Sequence, residues 1–179
     1  DDLGPISELT KLKGLFMERS QINDASLLAN LTNLESLSLR DNKISSLAFL
    51  SEFTKLKAVS LNINQISDIG PLSGLTSITS LDLRLNEISD IGPLSSLNNL
   101  EYLYLSYNPF SDLGPLSGVT SLRMLVASYC LITDASPLAG LTNLFHLSLS
   151  GNNLSDPPPI LAKGGGFQTF DENSVLFPL

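Results

Sequence analysis

A 22-residue period runs from Leu9 to Ala162 without a slip, and it limits what this chain can fold into more than any other feature. The stretch from Leu75 to Ser96, LTSITSLDLRLNEISDIGPLSS, shows the unit most clearly. With its positions numbered 1 to 22, apolar residues fall at 1, 4, 7, 9, 14, 17 and 20: Leu75, Ile78, Leu81, Leu83, Ile88, Ile91 and Leu94. The pattern is neither helical nor simply alternating. Positions 7 and 9 predict one short strand, SLDLR, with Leu81 and Leu83 pointing one way and Ser80, Asp82 and Arg84 the other. After the strand the chain turns at position 12, Asn86, whose amide carries two donors and an acceptor for backbone groups that a tight turn buries. Ser89, Asp90, Gly92 and Pro93 mark a second bend on the far side. A single coil leaves its apolar face bare, whereas a stack of coils covers it, so the period predicts a solenoid.

Seven full coils start at Leu9, Leu31, Phe53, Leu75, Leu97, Val119 and Leu141. Residues 1–8 match the end of a coil (compare DLGPISE with Asp112 to Gly118, DLGPLSG), so residues 1–162 are read as one solenoid domain that begins in mid-repeat, as a piece of a longer protein would. Position 19 is Pro in five coils (Pro71, Pro93, Pro115, Pro137, Pro159) but Leu27 and Phe49 in the first two, where a longer helical turn is expected. The period breaks at Lys163 to Gly166. Residues 163–179 are read as an irregular last coil and C-terminal edge cover, in which Asn173 extends the position 12 column.

Composition narrows the function classes. With 10 basic and 18 acidic residues the formal charge is −8, which argues against nucleic acid, since phosphate binding needs a basic surface, and favours a target with a basic face. The absence of any apolar run near the length of a membrane span predicts no membrane insertion. Cys130 is the single cysteine, so neither an internal disulfide nor a cysteine-based metal site is expected.

The columns of the repeat hold the candidate sites. Position 12 reads Asn42, Asn64, Asn86, Asn108, Cys130 and Asn152 from the second coil on, after Ser20 in the first, and is read as a structural column that holds the coils in register, with Cys130 a buried stand-in. Position 16 reads Asp24, Ser46, Asp68, Asp90, Asp112, Asp134 and Asp156. Local capping of the following turn explains it better than calcium held between coils, and no metal or cofactor is expected. His146 is the only histidine, and the nearest acid on its strand face, Asp82, is three coils or about 14 Å away, so no catalytic residues are expected. The two sequons, Asn30-Leu-Thr32 and Asn153-Leu-Ser155, fall out of the repeat consensus and carry no assignment.

Positions 6, 8, 10, 11 and 13 are left free by the repeat and are the informative ones. Early coils place charges there: Glu18, Arg19, Arg40, Asp41, Lys43, Asp82 and Arg84. Later coils place Tyr102, Tyr104, Tyr107, Met124, Val126 and Tyr129. Position 11 reads Ile63, Leu85, Tyr107 and Tyr129 along consecutive coils, and all four tyrosines of the chain fall on this one surface.

The pattern L-x-x-L-x-x-L-x-L-x-x-N-x-I-S-D-I-x-P-L-x-x, clearest in residues 53–74 and 75–96, resembles the 22-residue leucine-rich repeat of the bacterial internalins and covers residues 1–162. The resemblance implies an α/β fold: a right-handed leucine-rich-repeat solenoid with a parallel sheet on the concave face and short 3₁₀ turns on the convex face. The helical N-terminal cap and C-terminal immunoglobulin-like region of internalins have no counterpart in these residues. The expected function is non-enzymatic: a monomeric module, on the surface of a bacterium or secreted from it, that binds another protein. Its partner site is expected at Tyr102, Tyr104, Tyr107, Tyr129, Met124 and Val126, with Arg84, Asp82 and Arg40 as a charged flank and Ile63 and Leu85 beside them. A glycan-binding surface module and an intracellular phosphatase-regulating subunit are the alternatives.

Overall fold

Position 7 needs only one inward side chain per coil to seat a strand on the core, and the strands are accordingly short. In a computed structural model of the chain, which describes residues 3–154, each spans positions 6 to 8: β1 (Gly14–Phe16), β2 (Ser36–Ser38), β3 (Ala58–Ser60), β4 (Ser80–Asp82), β5 (Tyr102–Tyr104), β6 (Met124–Val126) and β7 (His146–Ser148). Residues 163–179, with Asp156 and Pro159, lie outside the described residues. The strands pair in parallel, in chain order, as one seven-stranded sheet. Its register is that of the repeat: Leu81 lies beside Leu103 and Leu103 beside Leu125. A right-handed solenoid results, with this sheet as its concave face.

On the convex side 3₁₀ turns span Ser26–Leu28, Ala48–Leu50, Gly70–Leu72, Gly92–Ser96, Gly114–Leu116 and Ser136–Gly140. Each is capped locally by position 16. Asp24 Oδ1 accepts the Ser26 N–H at 2.8 Å, and Asp68, Asp90 and Asp112 do the same for Gly70, Gly92 and Gly114 at 2.8, 2.7 and 2.7 Å. Asp134 caps the Ser136 N–H at 2.8 Å and also accepts the Ser136 hydroxyl at 2.7 Å; the hydroxyl bond first and the N–H bond second hold its carboxyl below the usual range, as the Ser26 N–H bond does for Asp24. The longer turns expected in the first two coils do not form. Both turns there have three residues, and the five-residue turns are Gly92–Ser96 and Ser136–Gly140, each with a proline in its first turn. Proline at a helical N-terminus brings a pre-set φ and lacks only a donor that is orphaned there anyway, so it does not shorten the turn. In Gly92–Ser96 the hydroxyls of Ser95 and Ser96 donate to the Gly92 and Pro93 carbonyls at 2.7 and 3.1 Å and extend the winding. At the N-terminal end α1 (Gly4–Ser7) takes the place of such a turn, with Leu3 buried just before it.

Between sheet and turns the apolar columns form one continuous core, with Phe53 and Phe110 among its largest fully buried side chains. Register is held by the asparagines under the strand ends. Asn86 Oδ1 accepts the Ile66 N–H at 3.0 Å, while its Nδ2 donates to the Leu61 and Leu83 carbonyls at 3.0 Å each. One amide thus joins two successive coils. Asn108 repeats the arrangement on Ile88, Leu83 and Leu105, and Asn42, Asn64 and Asn152 do likewise in their own coils. A second amide column escaped the sequence reading: at position 3, Asn33, Asn99 and Asn143 donate to the carbonyls of Thr10, Thr76 and Thr120 one coil back, each at 2.9 Å.

Cys130 fills the position 12 slot with a thiol 3.6 Å from the Leu105 and Ser128 carbonyls, and burial pushes its pKa up, away from thiolate chemistry. An amide there reaches the same carbonyls and also offers Oδ1 to the N–H twenty residues earlier, that of Phe110, as Asn108 offers it to Ile88. Cys130→Asn is therefore expected to raise stability by about 1 kcal/mol, read as a higher melting temperature. A lower melting temperature would show that the slot has adapted to sulfur.

Along the other edge of the sheet, position 5 carries a charge ladder. Glu35 sits between Lys13 and Lys57, at 2.7 and 2.9 Å, and these partners bring its pKa down to about 2. A carboxylate whose folded pKa is depressed adds stability above its ordinary value of 4.5, and that contribution disappears as pH falls towards about 2. Thermal melts of the wild type and Glu35→Gln should differ slightly at pH 7 and coincide near pH 2. The difference at pH 7 should shrink in high salt, since the pair is exposed.

Candidate functional site

Position 11 marks the end of each strand, and the backbone there does something the sequence does not announce. Arg19, Asp41, Ile63, Leu85, Tyr107 and Tyr129 all have left-handed φ angles of 52 to 61°, and the seventh member of the column, Gly151, has φ 69°. For a residue with a Cβ this conformation costs roughly 1–2 kcal/mol, and for β-branched Ile63 it is a true outlier. The coils on either side hold it in place: the N–H of Ile63 bonds to the Arg84 carbonyl, that of Leu85 to Ser106, that of Tyr107 to Ser128 and that of Tyr129 to Ser150, each at 2.8 to 2.9 Å. Through this turn the Asn of position 12 comes under the strand end. It also puts the position 11 side chains in a row along the rim of the sheet.

Along that row, Arg19 and Asp41 form an exposed ion pair at 3.3 Å, followed by Ile63, Leu85, Tyr107, Tyr129 and Gly151. Leu85, Tyr107 and Tyr129 are 46, 44 and 44% exposed. The two tyrosine rings lie 4.9 Å apart and within 4° of parallel. Aromatic pairs usually avoid facing each other, and here the repeat spacing of about 4.8 Å imposes it. Gly151 closes the row, because a Cβ on it would lie 2.5 Å from the Tyr129 ring. Both faces of Tyr129 are thus covered, by Tyr107 and by the Gly151 backbone, and the stack presents ring edges to solvent.

Tyr102 and Tyr104 lie on the concave surface proper, on β5, with Met124 and Val126 beside them on β6 and His146 and Ser148 next on β7. All but Ser148 are half-buried. Burial raises the Tyr104 pKa, so its hydroxyl stays a donor across the physiological range. The sheet therefore brings the six expected aromatic and apolar site residues onto coils 5 and 6, with Ile63 and Leu85 continuing along the rim.

Of the expected charged flank, Asp82 and Arg84 are joined to each other. The Arg84 Nε and Nη2 donate to the two Asp82 carboxylate oxygens at 3.0 and 2.7 Å, which raises the Arg84 pKa, and the guanidinium lies 5.2 Å from the Tyr104 ring centroid. These charges fix the Tyr104 ring rather than reach outward. Arg40 stands apart, two coils away. Phe16, on β1, is 69% exposed and was missed by the sequence reading; its position 8 placement was the signal.

Catalytic chemistry has little support at these positions. Burial lowers the His146 pKa, and the Ser148 hydroxyl is engaged with that of Ser128 at 2.8 Å. Among the described residues no group of three or more His, Cys, Asp or Glu side chains is placed to hold a metal ion, and no helix is long and apolar enough to cross a membrane.

The repeat geometry has close relatives. The family model for leucine-rich repeats (two copies) matches residues 32–74, 76–118 and 120–163. The crystal structure of internalin C2 from Listeria monocytogenes is 38% identical with a TM-score of 0.86, covering 90% of this chain and 71% of that one. That of an internalin F from the same organism is 32% identical with a TM-score of 0.89, covering 92% of this chain and 49% of that one, so this chain spans about half its length. No curated protein sequence matches. Leucine-rich-repeat proteins of this kind are in general protein-interaction modules. A core, register and repeat of this form place the chain in the leucine-rich-repeat family, as a bacterial internalin-like protein.

Proposed function

We propose that residues 1–162 form a recognition module that docks another protein on the concave face and its position 11 rim, displayed on or secreted from a bacterial cell. The observation that carries this reading is the surface formed by Tyr102, Tyr104, Met124 and Val126 with the Tyr107–Tyr129 stack. Tyrosine offers a large apolar area and a hydroxyl at low rotamer cost, which suits the centre of a protein interface. The same geometry weighs against a glycan site. Sugars pack their apolar ring faces against aromatic faces, whereas both faces of Tyr129 are covered and Arg84 lies over Tyr104. A protein partner can use ring edges, hydroxyls and the flanking Met124 and Val126.

The test is a screen of the chain against a glycan array and a displayed protein library, each repeated with a Tyr104→Ala/Tyr129→Ala double variant. Protein binders lost by the double variant are the expected result. Glycan binding lost by that variant, with no protein binder, would move the site to carbohydrate.

A further inference from the structure

Position 13 lies two residues beyond the rim, past the position 12 column, and it is exposed in every coil. It is polar in the first four coils (Gln21, Lys43, Gln65, Glu87) and in the seventh (Asn153), but coils 5 and 6 place Pro109 and Leu131 there. Leu131 is 58% exposed. Two residues of chain span at most about 7 Å, and neighbouring coils lie about 4.8 Å apart. Leu85, Tyr107, Tyr129, Pro109 and Leu131 therefore form one apolar patch that runs over the rim and on to the flank of the solenoid. Four of the eight large apolar side chains exposed among the described residues fall in it, so the exposure is concentrated rather than scattered. The patch is also pre-formed, since the left-handed turns hold position 11 and the Leu131 N–H bonds to the Phe110 carbonyl at 2.9 Å.

The charges around the patch have one sign. Coils 4 to 6, residues 75–140, hold two basic residues and six acidic ones. Arg84 is bonded to Asp82, and Arg123 lies 3.6 Å from Glu101 on the opposite rim. The four acids left over, Glu87, Asp90, Asp112 and Asp134, are all exposed and all border the patch. Glu87 shares the position 13 column, one coil before Pro109, and the three aspartates lie at position 16, at most about 11 Å further along the chain. They cap their turns as charged acceptors, so the border stays negative. We infer that the partner reaches over the position 11 rim on to this flank, and that the part of it seated there is an apolar segment bordered by lysine or arginine. A second copy of this chain does not fit, because it brings the same acids against these. The inference rests on the reading of the rim as a protein-docking surface, and adds to it a contact outside the concave face and the sign of the partner's charge.

The experiment pans a displayed library of random dodecapeptides on the wild-type chain and, in parallel, on a Pro109→Gln/Leu131→Gln double variant. Glutamine occupies position 13 in the first and third coils, where the Gln65 N–H bonds to the Ile44 carbonyl at 2.9 Å, so the variant should keep the fold, which a thermal melt checks. Clones held by the wild type and lost by the variant should carry apolar residues bordered by lysine or arginine. A synthetic peptide from such a clone should bind the double variant about tenfold or more weakly. Glu87→Lys should weaken it roughly fivefold at low salt, a difference that fades in high salt. Tyr104→Ala, on the concave face, should leave it bound. The proposal is overturned if no clone depends on Pro109 and Leu131, if the dependent clones are acidic or uncharged, or if Glu87→Lys binds them as the wild type does. It is also overturned if sedimentation shows a wild-type dimer that the double variant dissolves, since a second copy would then cover the flank. Failure here leaves the concave face to its own screen with Tyr104→Ala/Tyr129→Ala, and failure of that screen leaves peptide binding at the flank measurable.

Discussion

Replacing Tyr104 and Tyr129 together with alanine should weaken partner binding by on the order of a thousandfold while leaving the solenoid folded. Each ring at the centre of an interface is worth about 2 kcal/mol or more on truncation, and the two side chains lie on different coils, so their effects should come close to adding. Folding should survive, because neither residue belongs to the core columns. Tyr129 gives up its stack on Tyr107, worth roughly 0.5–1.5 kcal/mol, and Tyr104 gives up the Arg84 contact, of similar size. Calorimetric titration of a binder from the screen, beside a thermal melt, separates the two effects. Unchanged affinity for the double variant would place the docking surface elsewhere on the chain. Since Tyr129 and alanine meet the same left-handed backbone at this site, the substitution adds no new strain.

Asn86→Ala should destabilise the chain by about 3 kcal/mol. The substitution leaves the Ile66 N–H and the Leu61 and Leu83 carbonyls without the partner that now satisfies all three, in surroundings from which water is excluded. Leaving such a group unpaired costs roughly 1–3 kcal/mol, and relaxation of the turn recovers part of the sum. Urea unfolding of the variant gives the number directly. Repeat stability depends on contacts between neighbours, so a loss confined to the junction of the third and fourth coils should also lower the cooperativity of unfolding, seen as a smaller m value. A variant as stable as the wild type would mean that water replaces the amide, and the column would then have no special claim to hold the register.

The period of 22 contained the fold. Leucines at positions 1, 4, 7 and 9 have no helical or single-sheet solution that buries them, which left stacking as the answer, and the in-register strands follow because every coil offers its neighbour the same face. The roles of Asn86 and Asp90 were legible for the same reason: a polar residue recurring between apolar columns must be satisfying backbone that recurs with it. The convex turns were less legible. The absence of proline at Leu27 and Phe49 suggested longer turns, yet both stop at three residues, while the two five-residue turns each carry a proline.

The candidate site was half legible. Sequence placed the tyrosines on one surface, since strand alternation and the repeat number fix which face a residue takes. Which of their atoms remain free was decided in three dimensions. The left-handed turn at position 11 had few clues in the sequence, Gly151 and Asp41, because the other residues there have little preference for that backbone and are held in it by the hydrogen bonds their N–H groups donate to the next coil. The same holds for the charges. The sequence sets Asp82 two residues before Arg84 and Ser38 two residues before Arg40, but only the packed structure shows Asp82 closing on Arg84 to brace Tyr104 and Ser38 turning to Glu18 instead.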